Sequence, residues 1–305
     1  MNKPEMSVQI GSMTMKNPVT VASGTFGYGP EYAELLDLNQ LGAITVKGIG
    51  PEPHTGNLTP RTFETRGGML NAIGLPGPGA EGFLEKYIPF LKPYDLPVIV
   101  NIWGKGMDDY ARVVEVLDDE ETVSAYEINL SCPNVKEGGS AFGTDTDSFS
   151  RVIDLVRKKT QKPIIPKLAP NVPDIGKFAK AAENCGADAL SIMNTMPAMA
   201  INIQTRRPEL ANRTGGLSGP AIKPIAIKLV WDAAQACNLP IIGMGGIFEP
   251  EDAIEFLIAG ASAVAVGTAN FVDPSTSLRV IQGIEDYLFE HQISSVKELV
   301  GTVQI

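Results

Sequence analysis

The sequence predicts a (β/α)8 barrel, an α/β fold in which eight parallel strands alternate with eight helices. Eight short apolar runs recur along the chain, and most lack the polar–apolar alternation of half-exposed strands. Segments with helical spacing lie between these runs. The alternation extends over about 250 residues, the usual length of such a barrel. An open doubly wound sheet is the alternative, but eight repeats without a dinucleotide-binding fingerprint favour closure.

The elements can be assigned in order along the chain. A loosely alternating stretch from Ser7 to Asn17 predicts a small amino-terminal β-hairpin. The predicted barrel strands are Pro18–Ser23, Ala43–Gly48, Pro97–Trp103, Ala125–Ser131, Pro163–Ala169, Ala189–Thr195, Pro240–Gly246 and Ala263–Ala269. The predicted helices are Glu31–Leu38, Gly79–Leu91, Asp108–Leu117, Asp147–Lys159, Asp174–Asn184, Pro220–Cys237, Pro250–Ala259 and Ser275–Phe289. No shift in composition marks a second domain, so residues 1–305 are expected to form a single barrel domain.

The composition is that of an acidic protein without a nucleic-acid-binding face. The formal net charge is −10 and the sequence pI is about 4.8, whereas nucleic-acid binding requires a basic surface. The amino terminus lacks the apolar segment of a signal peptide, and no window of about 18 apolar residues occurs. We therefore expect a soluble, cytoplasmic protein.

Cysteine and histidine are scarce. Cys132, Cys185 and Cys237 lie far apart and form no CxxC pair, so neither a disulfide framework nor a thiolate-bound zinc or iron–sulfur centre is expected. The two histidines, His54 and His291, lie away from the predicted strand ends. This distribution argues against a histidine metal site and against a Ser-His-Asp triad, and we expect no metal in this chain.

Every predicted barrel strand ends in a polar residue or a glycine. These ends are Ser23-Gly24, Lys47-Gly48, Asn101, Asn129 with Cys132, Lys167, Asn194-Thr195, Gly245-Gly246 and Gly267-Thr268. In a barrel the carboxyl ends of the strands share one face, so together they predict a polar active-site mouth. The asparagines suit a ligand with amide edges, such as a pyrimidine or flavin ring, and the lysines suit an anionic ligand.

Glycines near the last two strands predict a phosphate site. Gly245-Gly246 and Gly267-Thr268 follow strands seven and eight, and the loop from Gly215 to Gly219 leads into a helix that begins at Pro220. Glycines let backbone N–H groups approach an anion, and a helix amino terminus favours it electrostatically. Loops after strands seven and eight bind phosphate in many barrels of this type.

The segment Ala125–Asp145 carries the candidate catalytic residue. An apolar strand leads to Cys132, and a Gly-rich loop of thirteen residues, Pro133 to Asp145, follows. Taken alone, this pattern favours a buried thiol and a surface loop, since free cysteines usually pack in cores. With no histidine, metal ligand or obvious carboxylate at the other strand ends, Cys132 becomes the best acid/base candidate, beneath a lid formed by the loop. Without a histidine partner, it suits the role of a base better than that of a nucleophile.

Eight motifs resemble those of the dihydroorotate dehydrogenase family, from about Ser7 to the carboxy terminus. They are VASGTFGYG, ITVKGIG, NAIGLPGPG, INLSCPNVKEGGSAFGTD, IIPKLAPN, NTMPAMAINIQTRRPELANRTGGLSGPAIKP, IIGMGGI and AVAVGTANF. A cysteine in the fourth motif resembles class 1. The loop after it, with the absence of an amino-terminal membrane extension, resembles the NAD-linked 1B type. The resemblance implies a barrel enzyme with one FMN per chain that oxidises (S)-dihydroorotate to orotate in pyrimidine synthesis.

The resemblance also implies roles for individual residues. Cys132 would remove the C5 proton of the substrate while the C6 hydride passes to flavin N5. The implied substrate-binding residues are Lys47, Asn71, Ala72, Ile73, Gly74, Leu75, Asn129, Asn194 and Thr195. The implied contacts of the flavin ring are Ser23, Lys47, Gly48, Asn101, Asn129, Lys167 and Met193, and those of its phosphate are Gly219, Gly245, Gly246, Gly267 and Thr268.

Relatives of the 1B type work with a second subunit that carries FAD and a [2Fe-2S] cluster and passes electrons to NAD. The resemblance therefore implies such a partner, with a homodimer core inside a heterotetramer. Three alternatives stay open: a fumarate-dependent 1A homodimer, a related enzyme acting on uracil or thymine, and a non-catalytic flavin- or phosphate-binding scaffold. Two features depart from the family pattern, the bulky Trp103 and the stiff loop Leu75-Pro76-Gly77-Pro78, and both bear on the flavin edge or the subunit contact.

Overall fold

The fold combines a parallel sheet with surrounding helices and a smaller antiparallel sheet. The computed structural model describes residues 3–130 and 145–304. Its strands in chain order are β1 Val8–Ile10, β2 Met13–Met15, β3 Val19–Val21, β4 Ile44–Ile49, β5 Thr62–Thr65, β6 Gly68–Asn71, β7 Val98–Ile102, β8 Val123–Asn129, β9 Ile164–Leu168, β10 Leu190–Ile192, β11 Met196–Ala198, β12 Ile201–Asn202, β13 Arg207–Pro208, β14 Gly215–Ser218, β15 Ile241–Met244 and β16 Ala263–Val266. Its α-helices are α1 Pro30–Ala33, α2 Gly79–Lys86, α3 Ile88–Leu91, α4 Met107–Leu117, α5 Thr146–Arg157, α6 Ile175–Asn184, α7 Lys223–Ala236, α8 Pro250–Ala259, α9 Ala269–Val272 and α10 Thr276–Glu290.

The larger sheet closes into a barrel. Its eight strands follow the order β3-β16-β15-β10-β9-β8-β7-β4, and every pair in it is parallel. The two end strands meet, because Gly42 N–H donates to Val19 O and Thr20 Oγ1 donates to Ala43 O, each at 2.9 Å. Both faces of these strands are buried, the inner by the barrel interior and the outer by helices, as their continuous apolar runs require. The predicted (β/α)8 barrel is confirmed.

Several predicted boundaries agree with the structure. The amino-terminal hairpin is the antiparallel pair β1–β2. Helix α8 begins at Pro250, where the Asp252 carboxylate accepts the backbone N–H groups of Phe248 and Glu249 at 2.8 Å each. The helix ends at Ala259, and the residue that caps it, Gly260, has a φ of 123°, which favours glycine. In the described ranges, no helix combines the length and apolar character needed to cross a membrane.

Prolines explain two differences between predicted and observed helices. The segment predicted as Gly79–Leu91 is divided into α2 and α3, because Pro89 has no N–H to continue the first helix. The segment predicted as Pro220–Cys237 begins with a 3₁₀ turn, Pro220–Ile222, before α7, whose second residue is Pro224. The predicted helix Glu31–Leu38 is also shorter, since α1 ends at Ala33 and a 3₁₀ turn follows at Leu38–Gln40.

Sequence analysis missed the smaller sheet. Its four antiparallel strands follow the order β11-β14-β6-β5. Strands β5 and β6 lie in the excursion after β4, and β11 and β14 lie in the excursion after β10. The two excursions therefore meet over one end of the barrel, although about 150 residues separate them, with Asn71 opposite Gly216. Strands of three or four residues carry too short a pattern for periodicity to reveal them.

Candidate active site

A layer of polar side chains lies inside the barrel, near its mouth, the face formed by the carboxyl ends of the strands. Successive residues of a strand alternate between its faces, so Glu127 and Asn129 on β8 both point inward. The register places Asn101 of β7 beside Glu127, Lys167 of β9 beside Asn129, and Ser191 of β10 beside Lys167. The exposed fractions of Asn101, Glu127 and Lys167 are 1%, 2% and 6%. These groups therefore lie at the base of the mouth, away from bulk water.

Glu127 joins this layer together. Its Oε1 accepts Asn101 Nδ2 at 2.5 Å and lies 3.4 Å from Lys167 Nζ, while its Oε2 accepts Ser191 Oγ at 2.9 Å. Sequence analysis found no carboxylate at the strand ends and missed this residue. The available signal was its spacing, because a residue two positions before Asn129 on the same strand shares its inward face.

The asparagines predicted to bind substrate form a connected set. Asn194 Nδ2 donates to Asn129 Oδ1 at 3.4 Å, and Asn194 Oδ1 accepts the backbone N–H of Thr195 at 2.8 Å. Asn71 reaches the same region from the smaller sheet, where its Nδ2 donates to Gly216 O at 3.3 Å. A Cβ atom at Gly216 would overlap the Thr195 side chain, so the smaller sheet packs directly on the end of β10. The structure therefore brings together four predicted residues from three separate segments.

Lys47 is a half-buried cation in the second half of β4, where the described residues provide no carboxylate in contact with its ammonium group. Within the described residues Lys47 forms no ion pair, although its strand is otherwise buried. Burial lowers the pKa of its ammonium group, and the nearby Arg61 lowers it further, whereas Glu31 has a smaller opposing effect. A binding site for an anion gives this arrangement a physical reason, because the anion would restore the missing charge partner.

The loop after Asn71 covers the end of β4. Ala72 is buried and donates its N–H to Arg61 O at 2.8 Å, and Ile73 O accepts the N–H of Asn57 at 3.0 Å. The loop then takes positive φ angles at Gly74 and Leu75, of 80° and 54°. Leucine rarely adopts this conformation, so its presence indicates that the surrounding contacts fix the loop.

Leu75 packs toward the predicted ring site. A Cβ atom on Gly48 would lie 3.3 Å from Leu75 Cδ2, 3.1 Å from Trp103 Cδ1 and 2.9 Å from Asn101 Oδ1. Trp103, the bulky departure from the family pattern, is accommodated by Gly50, where a Cβ atom would lie 2.7 Å from its Cζ2. Its ring also meets His54 edge-on, with centroids 5.4 Å apart. Glycines at 48 and 50 are therefore required by the side chains that surround them.

The predicted phosphate-binding glycines also converge. Gly219, Gly245 and Gly246 have φ angles of 103°, 127° and 80°, and a Cβ atom on Gly246 would lie 3.0 Å from Gly219 O. Thr268 Oγ1 donates to Ser218 Oγ at 2.7 Å, which joins the end of β16 to the same loop. At Gly219 and Gly246 the neighbouring backbone is so close that a side chain would not fit, so these loops approach one another through their backbones. Such a cradle fits a phosphate group.

Asn101 gives independent evidence for a ligand at the base of the mouth. Its Nδ2 is engaged by Glu127, and its buried Oδ1 has no hydrogen-bond partner among the described residues. A buried acceptor without a donor is unfavourable, by about 1–3 kcal/mol. A ring with an N–H edge would satisfy it, and the isoalloxazine ring of a flavin has one. The residues present therefore fit FMN at both its ring and its phosphate.

The remaining predicted residues are distributed as follows. Ser23, after β3, and Met193, after β10, are buried at strand ends, with 7% and 3% of their surface exposed. Gly267 lies at the end of β16, where an added Cβ atom would be 3.5 Å from Ala22 Cβ. Cys132 and all of the predicted lid except Asp145 lie outside the described residues. In the described ranges, no group of three or more His, Cys, Asp and Glu side chains is arranged to hold a metal ion.

Comparisons with known proteins identify the family of this chain. The family model for dihydroorotate dehydrogenase matches residues 5–288. A protein of Geotalea daltonii named dihydroorotate dehydrogenase B (NAD(+)), catalytic subunit, is 54% identical over 305 residues, which cover 100% of both chains. Proteins with the same name from Lachnoclostridium phytofermentans and Geobacter sulfurreducens are 54% and 52% identical, over 98% and 100% of this chain and 99% and 100% of theirs. The family inferred from the motifs is confirmed, and the chain belongs to the dihydroorotate dehydrogenase family.

Proposed function

We propose that this chain oxidises (S)-dihydroorotate to orotate with FMN, as the catalytic subunit of an NAD-linked dihydroorotate dehydrogenase. The observation that carries the proposal is the convergence at one barrel mouth of Lys47, a cation with no ion pair among the described residues, and the amides of Asn71, Asn129 and Asn194. Orotate has the complementary groups, a carboxylate and a pyrimidine ring with two amide edges. Family membership supports the reaction, and the names of the relatives support the link to NAD.

Substrate recognition follows from the charges and the hydrogen-bonding groups at the mouth. Lys47 would bind the carboxylate, because a carboxylate would offset the cost of keeping the ammonium group charged in a partly buried position. The asparagines and Thr195 would bind the ring edges, since each side-chain amide provides both a donor and an acceptor. Residues Ala72 to Leu75 would form the wall over β4. Uracil and thymine lack the carboxylate, so the site would bind their reduced forms poorly.

The cofactor would lie across the base of the mouth. Ser23, Gly48, Asn101, Lys167 and Met193 would contact its ring, together with Lys47 and Asn129. Its phosphate would bind at Gly219, Gly245, Gly246, Gly267 and Thr268. When bound, FMN would supply the acceptor for the hydride that leaves C6 of dihydroorotate.

Cys132 would act as the base. As C6 loses a hydride, the thiolate Sγ of Cys132 takes the proton from C5, and the electron pair of that C–H bond forms the C5–C6 double bond of orotate. The loop from Pro133 to Asp145 would close over the substrate and exclude water from the reacting atoms. Strand β8 ends at Asn129, three residues before Cys132 in the sequence, and Tyr110 Oη donates to Asn129 O at 3.0 Å, which fixes this end of the strand.

The electrons would leave through a partner subunit that carries FAD and a [2Fe-2S] cluster, and two copies of this chain would form the core of a heterotetramer. Each copy would be a single barrel domain. Exposed apolar side chains on the two excursions that form the smaller sheet support the contact between copies, since Leu58, Ile201 and Ile203 are 83%, 56% and 82% exposed. Ile203→Glu is expected to convert the purified dimer to a monomer in light scattering. Val272→Glu is the matched control, because Val272 is also exposed and lies on helix α9, outside these excursions.

The absorbance spectrum of the purified chain tests the proposed reaction. We expect an FMN spectrum without an iron–sulfur signature and anaerobic bleaching by dihydroorotate but not by dihydrouracil. Bleaching by both compounds would favour the enzyme of uracil or thymine, and no flavin at all would contradict the proposal. Rapid fumarate reduction by the isolated chain would contradict the NAD-linked assignment and favour the 1A alternative.

A further inference from the structure

Glu127 is a buried carboxylate that the proposed reaction does not use. Only 2% of its surface is exposed, and both of its oxygens are engaged, by Asn101 and Lys167 on one side and by Ser191 on the other. An isolated buried carboxylate is strongly unfavourable, so a barrel interior retains one only with partners. Lys167, itself 6% exposed and 3.4 Å away, balances its charge.

The geometry of Glu127 determines what its neighbours present to a ligand. Because Asn101 Nδ2 donates to the carboxylate, the buried amide oxygen of Asn101 is directed elsewhere and has no hydrogen-bond partner in the part of the chain that the structure describes. The ammonium of Lys167 keeps its remaining N–H groups for other acceptors, since an ammonium has three. One carboxylate thus orients an acceptor and a cation in the same layer.

We propose that Glu127 is a positioning residue that orients Asn101 and Lys167 toward the FMN ring and lowers the reduction potential of the flavin. The proposal rests on the proposed function, because it requires FMN at the base of the mouth. The reduced ring is richer in electrons than the oxidised ring, so a nearby positive charge favours reduction and a negative charge opposes it. Glu127 offsets the positive field of Lys167 and thereby keeps the reduced flavin ready to pass its electrons on.

Glu127→Gln tests this inference through the midpoint potential of bound FMN, measured by spectroelectrochemistry on the purified protein. Glutamine keeps the size of the side chain and an acceptor for Asn101 but removes the charge. The ratio of the affinities for reduced and oxidised FMN should rise at least tenfold, which makes the potential of this two-electron couple about 30 mV more positive. Ser191→Ala is the matched control, because it removes a neutral hydrogen bond to the same carboxylate. In this variant the ratio of the affinities for reduced and oxidised FMN should change by less than threefold.

A second pair of variants keeps the inference testable if Glu127→Gln does not fold. Lys167→Gln should lose FMN affinity, because it leaves the carboxylate buried and unpaired. Adding Glu127→Gln to that variant removes the unpaired charge and should restore FMN affinity at least tenfold, measured by fluorescence titration. A double variant that binds FMN no better than Lys167→Gln would overturn the inference, as would an unchanged potential in a folded Glu127→Gln protein.

These outcomes are distinct from failure of the proposed function. If the unsubstituted chain binds no FMN, or if dihydroorotate does not bleach it, the proposed function is wrong. If dihydroorotate bleaches the unsubstituted chain and the Glu127 variants behave like the Ser191 control, the role of Glu127 alone is wrong.

Discussion

Two lysines at barrel strand ends, Lys47 and Lys167, lie in contrasting surroundings. Lys167 lies in the barrel interior with Glu127 as its ion-pair partner. Lys47 lies under the loop from the smaller sheet, forms no ion pair within the described residues, and has a lowered pKa because of burial and Arg61. The difference separates two tasks. Under the proposed function, Lys167 at the cofactor end has its charge balanced by Glu127, whereas the charge of Lys47 would be balanced by the carboxylate of the substrate.

The largest expected effect comes from breaking the balanced pair. Lys167→Met leaves Glu127 buried without a counter-charge, so the free energy of unfolding should fall by about 3–5 kcal/mol. Denaturant unfolding measures this change. Lys162→Met is the control. Lys162 precedes β9, the strand that carries Lys167, is only partly buried, and donates its Nζ to a backbone carbonyl, Glu120 O. Equal losses in both variants would contradict a special role for the Glu127 pair.

Removing Lys47 should affect ligand binding and leave stability intact, the reverse of the effect expected at Lys167. Lys47→Met removes a charge that the folded apoprotein holds at a cost, so thermal stability should be unchanged or slightly higher. Orotate affinity should fall about a hundredfold, because a buried charge-assisted contact contributes on the order of 2–5 kcal/mol. Calorimetric titration with orotate measures the affinity, and a loss of both stability and affinity would show that Lys47 is structural.

The phosphate cradle allows a smaller and separate test. In Gly246→Ala the new Cβ atom meets Lys223 Cβ at 2.8 Å and Gly219 O at 3.0 Å, at a φ of 80°. We expect FMN affinity to fall about tenfold, an energy of about 1.4 kcal/mol. Gly301→Ala is the matched control, since Gly301 has a φ of 72° but nothing within 4 Å of its added Cβ atom. If both variants bind FMN equally, the cradle at Gly246 does not hold the phosphate.

The smallest expected effect is a pH dependence that belongs to Lys47. Orotate binding requires the charged ammonium, so affinity is full below the lowered pKa of Lys47 and declines as the pH rises through it. The decline should therefore begin below the ordinary lysine value of about 10.4. The free energy of unfolding of the apoprotein should instead rise with pH in this range, because the unfolded chain holds the Lys47 proton more tightly than the folded one. Lys47→Arg keeps its charge over this range, and a decline of the same shape in that variant would assign the pH dependence to another group.

The sequence predicted the barrel better than it predicted the mouth. The barrel repeats one pattern eight times, so errors at single helix ends, such as the break at Pro89, do not change the conclusion. The smaller sheet pairs residues as distant as Asn71 and Gly216, which no local pattern connects. Glu127 was missed although its spacing from Asn129 places both on one face of the strand, because its partners, Asn101 and Lys167, come from other strands.

The site residues show the same division. Glycines and asparagines at strand ends could be identified individually, because a barrel has one functional face. Lys47 and Lys167 both follow similar apolar runs, so only the fold shows that their charge environments differ. The roles of Cys132 and its loop remain predictions of the sequence and of family membership.

Anaerobic stopped-flow reduction of bound FMN by dihydroorotate tests the central claim most directly. In Cys132→Ser we expect the FMN spectrum and the orotate affinity to be retained, because the hydroxyl replaces the thiol with little change in size. The rate of flavin bleaching should fall by a factor of about 10²–10⁴ near neutral pH, since a serine hydroxyl is a far weaker base than a thiolate. Bleaching at the rate of the unsubstituted chain would contradict the account, because it would show that the C5 proton leaves by another route.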